Sequence, residues 1–514
     1  MRNLSSFLIM GFYYLFGLIF LWLFLSIILD NQIYSFKTSH IVLYLTIWLL
    51  LTGYIYKMGS RAENFILKHE KKIAIPWMLV IFSLQLYCGY LLAVTTSWDT
   101  EAVFRGAINL SQQGNLGNYR DYFHIFPHNL GATSILQLLF TIFSAKNTDD
   151  FYLIATIYNV SSNTLGIVFV YLICREIKGV KIAFLSLWLS SCCIPLYFYT
   201  SIFYSDTLSL PFVTLSYYLY LKILASESKN QQILFACLFA TACVAGTLIK
   251  FTVAIVAIAA LIDVILRGHV KKYWLAVIVV ATLFFALLSG FNHYRSTFLL
   301  DKNLSEQKQV PYTHWVMMGL SGNGAYNGSD YGYTHSFSTL EARTQANLDR
   351  INQRLNDYGF SGYLDFLHRK QQVNFGSGIY GVNEMIDDGP LRPNLLHEFA
   401  LDSGKHYETV RHFAQGYHVF IFLMIAFGAI YDATTKKQSS INVLVIRLSI
   451  TGLFIFLALW ESNSRYIYNF IPIFIAGAAL SFPEFYRVMS IVKNSLYDHI
   501  LDARSASLTQ DSKS

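Results

Sequence analysis

Leu130-Gly131-Ala132-Thr133-Ser134-Ile135-Leu136-Gln137-Leu138-Leu139-Phe140 is the stretch on which the fold turns. It is apolar, it follows Pro127 and His128, and it is shorter than the ~20 residues a spanning helix needs. If it crosses a membrane, Arg175-Glu176-Ile177-Lys178 ends up opposite the other basic turns, against the positive-inside bias. If it lies on or partly in the outer leaflet, the basic clusters share one side. The second reading predicts an interfacial helix and keeps 96–150 as one extracytoplasmic loop.

Working outward, the chain has 514 residues, 54% of them hydrophobic and only 13% charged. A soluble domain carries about 25% charged residues, so the composition excludes an ordinary soluble enzyme and predicts a polytopic membrane protein. Apolar runs at 7–29, 40–57, 74–95, 151–174, 180–200, 208–225, 231–249, 251–267, 273–293, 416–432, 441–460 and 466–483 give about twelve spans. With the N-terminus inside, Lys57, Arg61, Lys68, Lys71 and Lys72 are cytoplasmic, as are Arg175, Lys178 and Lys181. Arg267, Lys271 and Lys272, then Lys436 and Lys437, then Arg487 and Lys493 join them. Both termini are therefore expected in the cytoplasm, with the chain in the plasma membrane. The net charge of +7 reads as a topology signal, and no nucleic-acid partner is expected. The six cysteines lie in apolar runs and read as small buried hydrophobes, without disulfide or metal spacing. The first apolar run has no small-residue cleavage site and reads as a retained helix.

The expected organisation is two N-terminal helices and a cytoplasmic loop over 1–73, then a transmembrane core over 74–296. An extracytoplasmic region over 297–415, closing helices over 416–484 and a cytoplasmic tail over 485–514 follow. In the long outer region, Ser338-Thr339-Leu340-Glu341 has the form of a capping box, and apolar spacing predicts a helix over 339–356. Gly359 and Gly362 should interrupt it, with a new helix from Tyr363. The polar residues after about 500, Ser512 and Ser514 among them, predict disorder. Gly319-Leu320-Ser321-Gly322-Asn323-Gly324 lacks the strand-then-helix setting of a phosphate loop.

Ionisable groups next to a bilayer are functional suspects. Thr96-Ser97-Trp98-Asp99-Thr100-Glu101-Ala102-Val103-Phe104-Arg105 follows a span. Ser97 or Asp99 could cap a helix there, or Asp99 could act as a proton acceptor. Tyr204-Ser205-Asp206-Thr207 places a second acid at the same predicted surface; Asp99 and Asp206 together could hold a divalent cation. Lys250 sits between two apolar runs and either snorkels or meets a lipid phosphate. Arg465, in Glu461-Ser462-Asn463-Ser464-Arg465-Tyr466, suits bidentate phosphate binding or an ion pair with Glu461. His124 and His128 flank Pro127, which argues against a helical metal pair and for polar contacts to a headgroup or substrate.

The order of these motifs resembles the GT-C superfamily of membrane glycosyltransferases, in particular the family 39-related enzymes that use polyprenyl-phosphate sugars. The resemblance rests on Trp98-Asp99-Thr100-Glu101, Phe126-Pro127-His128-Asn129, Cys174-Arg175-Glu176-Ile177-Lys178, Tyr204-Ser205-Asp206-Thr207, Leu248-Ile249-Lys250 and Ser464-Arg465-Tyr466. His314-Trp315-Val316-Met317-Met318-Gly319-Leu320 and Phe366-Leu367-His368-Arg369-Lys370 look like the outer loop of such proteins in Gram-positive cell-envelope pathways. It implies an all-α, GT-C-like bundle of about twelve transmembrane helices with outer-face juxtamembrane helices. It also implies transfer of a sugar from a polyprenyl-phosphate donor to a glycan or lipid acceptor, with inversion. Asp99 and Glu101 would be catalytic. Asp206, Lys250, Arg465, His124, His128, Arg105 and Tyr204 would bind substrate, and Mg or Mn could sit on Asp99 and Asp206. The competing reading is a transporter or flippase of a lipid-linked intermediate. It expects ionisable groups at the midplane and repeated halves, and neither is visible here.

Overall fold

The computed structural model describes residues 2–30, 33–386, 389–435 and 443–511. Lys436, Lys437, Ser512 and Ser514, which carried sequence expectations, lie outside the described residues. Those described form helices and connecting turns, with one antiparallel bridge between Val94 and Pro390. It is an all-α polytopic architecture. Among the described residues nine helices are long and apolar enough to cross a membrane, or up to eleven if each of two bent pairs counts as one span.

Several expected boundaries move. Leu444–Leu459 has 16 residues, roughly 24 Å of helix against a ~30 Å hydrocarbon core, and Phe251–Leu266 falls in the same short class. The 180–200 run is a bent pair, Val180–Ser191 and Pro195–Ser201, at 65°; Pro195 starts the second piece at the position where its missing N–H costs nothing. The expected cytoplasmic loop before residue 74 is largely helix, because Glu63–Leu91 begins directly after Ala62. Its Lys, Glu and Leu residues are good helix formers, and the break is reduced to a kink at His69.

In the outer region the helix runs Leu340–Phe375 and bends at Gly359 (φ +58°) alone, with no interruption at Gly362. Thr339, not Ser338, is its N-cap and accepts from the Ala342 amide at 3.1 Å. Glu341 is therefore one position too early for the reciprocal bond of a capping box. Tyr407–Thr435 starts nine residues ahead of the expected 416. The tail expected to be disordered continues the helix Ile471–Asp511, since no Gly or Pro follows Pro483 to stop it.

The deciding stretch forms the helix Leu130–Ile142. It is the second arm of a pair, Gly117–Ile125 and Pro127–Ile142, bent by 117°, so the two arms do not make one straight span. Gly131 presses it onto the end of Lys229–Ile249, where a Cβ would fall 1.7 Å from the Leu248 carbonyl oxygen. That approach fixes the helix beside Lys250. Asn159, fully buried on Thr148–Lys178, brings its amide nitrogen 2.9 Å from the carbonyls of Tyr199, Thr200 and Ile202. It thereby holds the turn that leads into Asp206. Asn469 donates to Ser209 and Thr252, each at 3.1 Å, which ties the Arg465 turn to the Asp206 and Lys250 turns.

Candidate functional site

Three turns converge at this end of the bundle, and Tyr204 joins them. Asp99 lies in the first turn of Trp98–Gln113, with Ser97 at the N-cap position. Tyr122 donates to Asp99 Oδ1 at 2.7 Å, and Tyr204 donates to Oδ2 at 3.2 Å. Asn129 supports both tyrosines: its Nδ2 donates to the Tyr122 oxygen, and its Oδ1, 3.4 Å from the Tyr204 hydroxyl, is a second acceptor that shares that one proton with Asp99. Tyr204 is buried. Burial first, and then the charge of Asp99, push its hydroxyl well above the ordinary tyrosine range, so it stays protonated and donates. Asp99 is thus a carboxylate held by two phenols, and among the described residues each of its oxygens keeps a second lone pair free.

Two residues beyond Tyr204, the buried Asp206 accepts from Lys250 and pairs with Arg465 (Oδ2 to Nη1, 3.5 Å). The Arg465 guanidinium lies 5.3 Å from the Tyr204 ring centroid and 5.4 Å from that of Tyr466. Two cations on one carboxylate give this trio a charge of +1, with Asp99, Glu461 and Glu384 also facing Arg465. The trio sits in a low-dielectric setting, where an arriving anion would feel it strongly. The sequence left Lys250 between snorkelling and phosphate binding, and Arg465 between phosphate and Glu461. In the structure both cations meet on Asp206.

Glu461 is 8% exposed. Burial pushes its carboxyl up to about 7, while the Arg465 charge opposes that rise and Tyr466 supplies a hydrogen bond. Glu384 also faces Arg465, and burial raises its carboxyl too.

The other sequence candidates are placed as follows. Glu101 accepts from Thr96, Tyr119 (3.1 Å) and Arg105 (3.1 Å), so Glu101 and Arg105 are spent on each other and on shaping the loop. His128 is exposed, with its ring 5.2 Å from Trp315 and in electrostatic reach of Asp99. His124 turns away and is fully buried, with Nδ1 2.9 Å from Ser305 Oγ. Tyr122, Asn129 and Asn469 were missed. Nothing in their local pattern marks them: Tyr122 lies 23 residues from Asp99 and Asn129 75 from Tyr204, while Asn469 reaches Ser209 and Thr252 across more than 200.

The residues present do not suit a divalent cation on Asp99 and Asp206. Asp206 is already matched by two cations, so of the two expected ligands only Asp99, which has one hydroxyl donor on each oxygen, offers the free oxygen sites a hard cation wants. Among the described residues no group of three or more His, Cys, Asp or Glu converges.

A family model described as "conserved hypothetical integral membrane protein" matches residues 1–486. No curated protein matches the chain. Among solved structures, the chain is similar to the archaeal oligosaccharyltransferase AglB from Archaeoglobus fulgidus in complex with an inhibitory peptide and a dolichol-phosphate. That match has 13% identity, a TM-score of 0.43, and coverage of 81% of this chain and 51% of that one. The apo form of the Archaeoglobus fulgidus enzyme gives 15%, 0.44, 82% and 52%. ArnT from Cupriavidus metallidurans bound to undecaprenyl phosphate gives 11%, 0.33, 80% and 79%. The chain spans about half the length of the oligosaccharyltransferase.

Proposed function

We propose, for a chain that belongs to the family of conserved hypothetical integral membrane proteins, that it is a membrane glycosyltransferase. It moves a sugar from a polyprenyl-phosphate donor to a hydroxyl of a cell-envelope glycan or lipid, on the extracytoplasmic face of the plasma membrane. The observation that carries this reading is the sharing of Tyr204. Its hydroxyl bonds the carboxylate Asp99, its ring meets Arg465, and Arg465 and Lys250 share Asp206. A proton acceptor and a cation pair are thereby fixed against one side chain.

The reaction follows from these parts. Asp99 accepts the proton of the acceptor hydroxyl. The hydroxyl oxygen forms a bond to the anomeric carbon as the bond from that carbon to the phosphate oxygen breaks, with inversion. The leaving lipid phosphate is a stable anion that needs charge stabilisation, and the surplus positive charge of Lys250 and Arg465 supplies it. Tyr122, Tyr204 and Asn129 keep the base aimed. No step is routed through a metal.

The test is deletion of the gene, analysis of envelope glycans for a missing sugar, and complementation. Wild type should restore the sugar. Asp99→Asn should reach the membrane at the same level and restore less than about one part in a hundred, the scale of a lost general base. Near-normal restoration by Asp99→Asn would sink the assignment.

A further inference from the structure

A second polar cluster adjoins the site and has no part in the step above. Lys370, on the helix Leu340–Phe375, is fully buried. Its ammonium donates to the Gly319 carbonyl at 2.5 Å. An ammonium has three donors, and this is the one acceptor found for it among the described residues. Glu461 faces it electrostatically. Ser462, 1% exposed, has an Oγ without a hydrogen-bond partner among the described residues.

Gly324 closes the group. The Ser462 amide donates to the Gly324 carbonyl at 2.7 Å. A Cβ on Gly324 would fall 2.7 Å from Ser462 Oγ and 3.1 Å from Cδ and Cε of Lys370. Its φ of +87° also favours glycine. Bare backbone is therefore required where the amine stem and the hydroxyl face each other.

The chemistry of this nook is selective. It offers an amine, a carboxyl and a hydroxyl, with unused donors and acceptors side by side. A phosphate would meet the Glu461 carboxyl, and an apolar group would leave the Ser462 hydroxyl and the spare Lys370 donors unsatisfied, which is costly when buried. A polyhydroxylated ring both donates and accepts, and satisfies all three. Burial brings Glu461 up to about 7 and Lys370 down to about 7, so near neutral pH each can donate or accept. Glu461 is also in electrostatic reach of Arg465 and Asp99. Glu461 is thus the member that borders the proposed phosphate cations and base; it is 8% exposed and the Arg465 side chain 18%, while Lys370 and Ser462 lie closed behind it until a ligand parts the cluster.

We propose that Lys370, Glu461 and Ser462, around the bare backbone of Gly324, bind the hydroxyls of the donor's sugar and select which sugar is transferred. This rests on the reading of Lys250 and Arg465 as the phosphate holders. The sugar lies between those cations and the nook, with its anomeric carbon toward Asp99.

The experiment is equilibrium binding to the purified full chain in lipid nanodiscs. The probes are undecaprenyl phosphate and its glucosyl, galactosyl, mannosyl and N-acetylglucosaminyl esters. Wild type should bind one ester more tightly than the bare lipid phosphate. Ser462→Ala should weaken that ester roughly five-fold, one hydrogen bond's worth, and Lys370→Met should weaken it about ten-fold or more. Neither should change the affinity for undecaprenyl phosphate. Ser462→Ala removes one oxygen that holds nothing in the fold, so it keeps the test decisive even where Lys370→Met fails to fold. Three results would overturn the proposal: no ester preferred over the bare lipid, preference unchanged in Ser462→Ala, or bare lipid and ester weakened alike. Absence of binding to any lipid phosphate would overturn the phosphate reading and this one together, a result distinct from the other three.

Discussion

The two ends of the bundle use the same kinds of charged residue and arrange them in opposite ways. At the Arg175 end the charges close in pairs: Glu70 with Arg175 (2.6 Å), Lys178 with Glu484 (2.8 Å), Asp263 with Arg267 (2.7 Å) and Asp432 with Arg447 (2.7 Å). At the Asp99 end one carboxylate, Asp206, is shared by two cations, and Asp99 is held by two phenols. The helix Thr148–Lys178, 31 residues long and so about 46 Å, runs between them. A closed pair cancels its own field and serves the fold. A shared carboxylate leaves a surplus, and a phenol-held carboxylate keeps lone pairs free. The difference separates an end closed for the fold from the end that the proposed reaction uses.

Neutralising one pair at each end tests this most strongly. Asp206→Asn with Lys250→Met removes one cation together with the carboxylate that holds Arg465 in place, so the remaining guanidinium is no longer fixed, and sugar transfer should fall about a thousand-fold, the scale of a lost transition-state stabiliser. Asp432→Asn with Arg447→Met replaces a closed buried pair by neutral groups. Such replacements are often near neutral, so transfer should stay within about two-fold. Transfer rates in isolated membranes, normalised to the amount of protein, decide between them. Equal losses at both ends would erase the distinction.

How much of this was readable in advance follows the range of the interactions. The all-α polytopic class was visible in composition. Asp99, Asp206, Lys250 and Arg465 stood out because a charge beside an apolar run is anomalous on its own. That Lys250 and Arg465 meet on one carboxylate was not visible. It depends on Asn469 bridging Ser209 and Thr252 and on Gly131 letting a helix end approach, contacts across more than a hundred residues of sequence. Tyr122 and Asn129 were hidden because an aromatic and an amide are unremarkable until the fold puts Tyr122 on Asp99 and Asn129 between Tyr122 and Tyr204. Boundaries failed where a local signal had two equal readings. Ser338 and Thr339 could each cap, and the choice of Thr339 shifts Glu341 out of register.

Tyr122→Phe asks whether the phenols at the reactive end matter to the step or only to the fold. The change deletes one hydrogen bond to a charged oxygen and keeps the ring. Such bonds are worth about 1.5–3 kcal/mol, so transfer should fall roughly ten- to a hundred-fold in kcat, with donor KM nearly constant. A loss confined to protein yield, with normal kcat, would make the tyrosine structural.

A smaller effect should appear in stability against pH. The Glu461 carboxyl is raised by burial from an ordinary value of 4.5 to about 7, so the folded state favours its protonated form. The stability this contributes is complete below pH 4.5 and is lost as pH rises through about 7. In detergent, wild type should therefore lose more in Tm between these limits than Glu461→Gln, which stays neutral throughout. Parallel curves would mean that the site does not hold Glu461 as described.

The smallest effect is expected at Glu101, a carboxylate beside Asp99 in sequence but closed in the manner of the opposite end. Its side chain is 27% exposed and pairs with Arg105, itself 42% exposed, at i,i+4. Exposed pairs of this kind are worth at most about 1 kcal/mol, and the Tyr119 and Thr96 hydroxyls can still bond an amide. Glu101→Gln should cut transfer no more than about five-fold, far less than Asp99→Asn does two residues away. The reason is position rather than chemical type. Asp99 Oδ2 accepts from the tyrosine whose ring meets Arg465, whereas both Glu101 oxygens are turned to their own loop. A collapse of transfer in Glu101→Gln comparable to that of Asp99→Asn would place the proton acceptor on Glu101 and make Asp99 its support.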